Sequence, residues 1–170
     1  MEVVVCANLP YYITSPVLMY ILEGRLPIRS MTVMVQKEAA QRICALPGAR
    51  ESGAISAAVR YFSQPQMLFP VARGSFYPAP AVDSAVIRLD IRRPPAVQPA
   101  DEALLFRVIR GAFSQRRKTV LNSLSSALEL PKGEVEAMLE RAAVPSTARA
   151  EALTLEQFAA IADGVFSRGQ

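Results

Sequence analysis

The stretch Val3-Val4-Val5-Cys6-Ala7-Asn8-Leu9-Pro10-Tyr11-Tyr12 decides how the chain is read. An uninterrupted, largely β-branched run ends at once in an amide, a proline and two aromatic rings. Such a run predicts a strand buried on both faces of a parallel sheet. In open sheets of that kind, ligands bind just past the carboxyl ends of the strands. Asn8 to Tyr11 hold that place. A side-chain amide, a proline-fixed turn and a ring together make a pocket for a flat polar ring such as a nucleobase.

The residue types suggest what could happen there. A nucleobase amino group is a poor nucleophile because its lone pair is delocalised into the ring. Two acceptors aimed at its N–H bonds favour a pyramidal nitrogen and disperse the positive charge that develops during attack. Asn8 offers a side-chain oxygen, and the backbone carbonyl of Leu9 or Pro10 offers the second, with Pro10 restricting the local backbone. Tyr11 can stack on the base. No general base is required before attack, since positioning and electrostatics carry most of the work.

Asn8-Leu9-Pro10-Tyr11 after an apolar strand resembles motif IV of adenine-N6 methyltransferases that use S-adenosylmethionine. Its extension through Pro16 resembles the small-subunit ribosomal RNA adenine dimethyltransferases. Two further stretches resemble segments of that family, Phe76-Tyr-Pro-Ala-Pro-Ala-Val-Asp-Ser84 and Phe113-Ser-Gln-Arg-Arg-Lys-Thr-Val-Leu121. All three occur in family order and spacing, and the resemblance runs over essentially the whole chain. It implies an α/β fold: the C-terminal half of a Rossmann-like methyltransferase sheet followed by a small all-α domain. It implies S-adenosylmethionine as methyl donor, with Asn8 reaching toward it. It also implies catalytic roles for Asn8, Leu9, Pro10, Tyr11 and Phe76, with Phe76 and Tyr11 sandwiching an extruded adenine of small-subunit RNA. Related antibiotic-resistance methyltransferases act on large-subunit RNA and typically show Asn-Ile-Pro-Tyr or Asn-Leu-Pro-Phe. Leu9 with Tyr11-Tyr12 favours the small-subunit kind. DNA adenine methyltransferases usually carry a Pro-Pro-Tyr motif and fit less well.

A methyltransferase of this class needs a glycine-rich loop after its first strand and an acid after its second. Neither occurs here. Three βα units of about 30 residues should precede Val3, so about 100 residues are expected upstream. The chain by itself is then expected to be impaired in cofactor binding. A non-catalytic RNA-binding or ribosome-assembly module remains the alternative of a different class. The strand at residues 3–7 is expected to become a sheet edge, open to self-association.

The composition is that of a globular protein: 170 residues, 51% hydrophobic. No apolar run reaches the ~18 residues of a membrane span, and residues 1–20 lack the basic start of a signal peptide. There is no histidine, which excludes His-based catalysis and His-ligated metal; no metal site is expected. The two cysteines, Cys6 and Cys44, read as buried thiols in a reducing cytoplasm.

The net charge is +4, and residues 1–100 carry all of it. Arg107, Arg110, Arg116, Arg117 and Lys118 nevertheless form a cluster with no acid between them, suited to phosphates of a folded RNA. Lys37 and Arg42 are candidates for RNA contact beside the target base.

Along the chain, a helix capped by Thr14 or Ser15 should run to Gly24, with Tyr20 largely on its core side. A strand at 31–36, a helix at 37–46, a helix at 54–62 and strands at 66–69 and 85–91 follow. Asp83 and Ser84 should fix their loop by local hydrogen bonds. Pro94, Pro95 and Pro99 mark a linker at 93–100 between a sheet domain (1–92) and a helical RNA-binding domain (101–170). The helices of the latter are expected at 102–113, at 116–128, after Pro131, and after a Thr154–Gln157 capping box. Phe158, Ile161 and Phe166 should form the core face of the last one.

Overall fold

The computed structural model describes residues 3–169. The strands are β1 (Val3–Asn8), β2 (Ile28–Gln36), β3 (Ser63–Val71) and β4 (Ser84–Ile91). The helices are α1 (Thr14–Glu23), α2 (Lys37–Cys44), α3 (Ala54–Phe62), α4 (Glu102–Ala112), α5 (Val120–Leu128), α6 (Lys132–Arg141) and α7 (Leu155–Arg168). The sheet order is β1-β2-β4-β3, with β1 parallel to β2 and the other pairings antiparallel. The α/β class is therefore as expected. No helix among the described residues is long and apolar enough to cross a membrane.

The core lies on one face of the two central strands. Met31 pairs with Leu89, Val33 with Ile87 and Val35 with Ala85, and all six are buried. The intervening residues Thr32, Met34, Val86 and Arg88 are only half-buried. This period of two sets the register, because a one-residue slip would turn every apolar side chain outward.

β1 does not meet the expectation of a strand buried on both faces. It pairs only with β2 among the described residues, and Val4 is 64% exposed. Val5 and Ala7 pack against the core while Cys6 faces solvent. Successive side chains of a strand point to opposite faces, and the core lies on one face of the sheet, so Val4 and Cys6 on the other face lie open. Cys6 is thus an exposed thiol, not a buried one. Cys44 is half-buried; burial pushes its thiol up, and nearby Arg60 offsets part of that.

β3 outruns its expected span at both ends and carries Pro65 and Pro70. It is the other sheet edge, where a missing N–H need not break the ladder. α1 starts without a side-chain cap, directly after a 3₁₀ turn at Tyr11–Ile13. Thr14 is its first residue, and the Thr14 hydroxyl donates back to the carbonyls of Pro10 and Tyr11. Thr14, Leu18 and Leu22 form the buried stripe, whereas Tyr20, expected mostly inward, is 78% exposed. Gly24 ends the helix in a right-handed conformation, and Arg25 takes the left-handed one.

Residues 92–100 are irregular and tied to α3, with Arg92 N–H donating to the Phe62 carbonyl and Ala96 N–H to that of Tyr61. Beyond them the helices pack on α3 through a cluster of rings. Tyr61 and Phe106 meet edge-on at 5.2 Å, and Phe62 and Phe106 stack at 5.6 Å. Such pairs add about 0.5–1.5 kcal/mol each beyond their area burial. One continuous core joins the sheet to the helices. Gly111 on α4 lets α5 approach closely, since a Cβ there would lie 2.9 Å from that of Ala127.

The α5 helix starts at Val120, capped by Thr119, and not at Arg116. The Thr119 hydroxyl oxygen accepts from Asn122 N–H, an arrangement that stops the helix extending backward. The Thr154–Gln157 capping box forms as expected, opening α7 with reciprocal bonds of 3.0 and 3.3 Å. Phe158 and Ile161 are buried on α7, but Phe166 is only half-buried.

The Tyr61 hydroxyl donates to Glu102 Oε2 at 2.7 Å. Burial first, then this bond and the Glu102 charge, push its ionisation up to about 12. An unfolded tyrosine ionises near pH ~10. Folding thus favours the neutral phenol, and that stabilisation is complete below pH ~10 and lost as pH rises toward ~12. Denaturation midpoints measured across this interval should fall less steeply for Tyr61→Phe than for the native chain. Equal steepness would show that Tyr61 ionisation is not linked to unfolding.

Candidate active site and nucleic-acid interface

The end of β1 and the loop before β4 meet over an open hollow of about 430 Å³. Asn8, Leu9, Pro10 and Tyr11 form one side, and Phe76, Tyr77, Pro78 and Pro80 the other. The volume lies within the range of small-molecule sites. The five sequence-predicted catalytic residues therefore come together, across 65 or more residues of chain.

Each is placed by a local cause. Leu9 is buried, and its N–H donates to the Met34 carbonyl at 3.2 Å, continuing the β1–β2 ladder one residue past β1. Pro10 then turns the chain at φ −58° into the 3₁₀ turn. Asn8, the last residue of β1, is exposed and has no side-chain partner among the described residues.

The two candidate carbonyls are not equivalent. That of Pro10 accepts from Ile13 N–H at 3.1 Å and from the Thr14 hydroxyl at 3.4 Å. That of Leu9 accepts no hydrogen bond among the described residues. The open pair of acceptors is thus the Asn8 side chain and the Leu9 carbonyl, adjacent in the chain.

The Tyr11 hydroxyl is in a close hydrogen bond with Ser84 Oγ. Ser84 is fully buried at the start of β4. Its bond is therefore long-range and not the local loop contact expected. It holds the Tyr11 ring beside the hollow. Asp83 acts only partly within its loop: its carboxylate accepts from Arg73 N–H at 3.0 Å, but its carbonyl reaches across to α2 and accepts from Lys37 N–H at 3.0 Å. These bonds pin the loop that carries Phe76 to the start of α2. Phe76 is half-buried.

Lys37 is exposed at the rim of a neighbouring polar depression, with Gln41 and Arg73. Arg42 is ion-paired with Glu38 one turn earlier on α2, at 2.9 Å, so its charge is met within the protein. Arg107 and Arg110 share the exposed face of α4, three residues apart. Arg116, Arg117 and Lys118 lie in the α4–α5 loop, not on a helix as the sequence suggested. All five are exposed and have no carboxylate partner among the described residues. Beyond the predicted residues, Tyr77, Pro78 and Pro80 also line the hollow, and Ser84 supports it as the partner of Tyr11. The only sequence signal for Tyr77 was its place beside Phe76.

The ribosomal RNA adenine dimethylase family profile matches residues 1–165. The ribosomal RNA small subunit methyltransferase A of a Geobacillus strain is 44% identical over 96% of this chain and 57% of its own length. That of Lachnoclostridium phytofermentans is 48% identical over 94% of this chain and 56% of its own length. The chain thus spans a little over half the length of these curated relatives. Among solved structures, a dimethyladenosine transferase from Plasmodium falciparum superposes with a TM-score of 0.76 at 25% identity, over 93% of this chain and 64% of that one. The 23S rRNA methyltransferase ErmE gives a TM-score of 0.70 at 24% identity, over 97% of this chain and 66% of that one, a likeness of fold. The sheet is of the Rossmann-like kind these neighbours share. With its strand-end motif, its aromatic loop and a profile match across nearly its whole length, the chain belongs to the ribosomal RNA adenine dimethylase family.

Proposed function

We propose that this chain supplies the base-binding and RNA-docking faces of an enzyme that dimethylates adenine N6 in small-subunit ribosomal RNA, with S-adenosylmethionine as donor. The observation that carries the reading is the pair of unpartnered acceptors, the Asn8 side chain and the Leu9 carbonyl, beside the rings of Tyr11 and Phe76. An adenine taken out of its stack would lie between the two rings, its amino N–H groups donating to the two acceptors. When bound, the donor supplies a methyl group on a positively charged sulfur. Accepting that methyl would place positive charge on the amino nitrogen. The Asn8 and Leu9 oxygens stabilise that charge until a proton leaves to water.

The residues lining the hollow fit the base well and the donor only in part. They include no carboxylate to meet a ribose diol or an ammonium group. Asn8 is the residue of this chain that would face the donor, and the chain alone should hold the donor weakly.

The exposed cluster of Arg107, Arg110, Arg116, Arg117 and Lys118 supports RNA docking by the helices beyond residue 100, with Lys37 nearer the base. Arg42, which shares an exposed ion pair with Glu38, has a weaker claim than the unpaired cluster. Two free cysteines suit a reducing, cytoplasmic setting. The outer side of β1, unpaired among the described residues, supports pairing with a further strand, of which self-association is one form.

The test is product analysis. Small-subunit RNA incubated with donor and a methyltransferase carrying this chain should yield N6,N6-dimethyladenosine on nuclease digestion and mass spectrometry. Modification confined to large-subunit RNA, or of another base, would overturn the reading.

A further inference from the structure

We infer that Tyr77 is a stacking residue for the nucleotide next to the extruded adenine. The inference rests on the reading of the hollow as an adenine site. It adds a contact outside the pair of rings that would hold the target base.

Tyr77 lines the hollow beside Phe76, yet its relative exposure is 103%. It makes no ring contact, hydrogen bond or ion pair among the described residues. The ring therefore adds nothing to the core, in contrast with Tyr61, buried among rings, and Tyr11, bonded to Ser84. Its backbone is nevertheless placed. The loop is anchored at both ends by the bonds of Asp83 to Arg73 and Lys37, and by Phe76 N–H donating to the Arg73 carbonyl. A ring free of the fold, on an anchored loop, at the lip of the open hollow, is in place to meet ligand.

Exposure alone does not single it out. Tyr12 and Tyr20 are also exposed, but neither lines the hollow. The chemistry of extrusion supplies the reason for a ring at the lip. Taking a base out of its stack uncovers a face of each neighbouring base, and enzymes of this kind take sequence context from contacts to those neighbours. An aromatic side chain can restore the missing stacking whatever the base, because every base has a π-face. Tyr77 would then grip the strand beside the target and favour the extruded state.

The probe is a short oligouridylate with one central adenine. 2-Aminopurine replaces either the adenine or one of its two neighbours, and its fluorescence is quenched on stacking. With the unsubstituted chain, quenching on binding is expected at the centre and at one flanking position. In Tyr77→Ala the flanking signal should return while the central quenching persists, and affinity should fall about tenfold, the scale of one base–aromatic stack. Tyr77→Phe should behave as the unsubstituted chain, and Tyr20→Ala should change nothing. Phe76→Ala should lose the central quenching. The fully exposed ring can be removed without disturbing packing, so the melting transition of Tyr77→Ala should be unchanged. Flanking quenching that survives in Tyr77→Ala would overturn the inference and leave the adenine site standing. Equal affinity of the unsubstituted chain for the adenine-containing oligomer and for plain oligouridylate would overturn the adenine site, and this inference with it.

Discussion

Asn8→Ala should lower kcat for methyl transfer by about 10²–10³-fold in a methyltransferase that carries this chain, the usual cost of removing one preorganised group that meets developing charge. KM for RNA should change little, because the deleted interaction strengthens only as the nitrogen becomes positive. The fold should be unaffected: Asn8 is exposed, ends its strand and has no side-chain partner among the described residues. Asn8→Asp keeps an acceptor oxygen at that place and should retain more activity than the alanine variant. Single-turnover rates with saturating RNA make the comparison, since they isolate the chemical step. A fall of less than about fivefold, far below the ~10²-fold of a preorganised group, would mean that Asn8 does not meet the reacting nitrogen.

The second large effect concerns docking. Replacing Arg116, Arg117 and Lys118 together by alanine should reduce the slope of log affinity against log salt by about 2, at about 0.7–0.9 for each phosphate no longer neutralised. At low salt the affinity itself should fall by one to three orders of magnitude on the same counterion-release scale. These residues lie in an exposed loop, and the Thr119 cap that starts α5 is not among them. Stability should therefore be retained. Arg42→Ala is the contrasting case, because Glu38 already meets its charge, and it should leave the slope nearly unchanged. Filter-binding titrations across a salt series decide both. An unchanged slope in the triple variant would make the cluster a solvated face that meets no phosphate.

The two effects act on different terms. Asn8 acts on the transition state and leaves binding intact, whereas the basic loop acts on encounter and binding and leaves the bound chemistry intact. A variant that lost both would point to disturbed folding, which the melting transition would reveal.

Much of this protein was legible in its residues alone. The α3 span of 54–62 and the Thr154–Gln157 box depend on caps and periodicity within a few residues, and both form where the sequence predicts. The placing of Asn8 to Tyr11 past a strand end follows from an apolar run stopped by a proline, again a local matter. Phe76 came from resemblance, since nothing in its spacing from Tyr11 announces that the two line one hollow.

Packing decided the rest. The apolar sequence of β1 is that of an interior strand, but burial depends on neighbours, and β1 has one among the described residues. The choice between the Leu9 and Pro10 carbonyls turned on the 3₁₀ turn, whose N–H and hydroxyl groups occupy the Pro10 oxygen. Ser84 meets Tyr11 across 73 residues because β4 begins beside the end of β2, with Ser84 opposite Gln36. The pairing of Arg42 with Glu38 and the loop position of the basic cluster likewise emerged only in three dimensions. A sequence states which groups a chain can offer and how each short segment prefers to fold. Which of those groups remain unsatisfied, and therefore free to act on a ligand, is settled by the partners that tertiary packing brings to them.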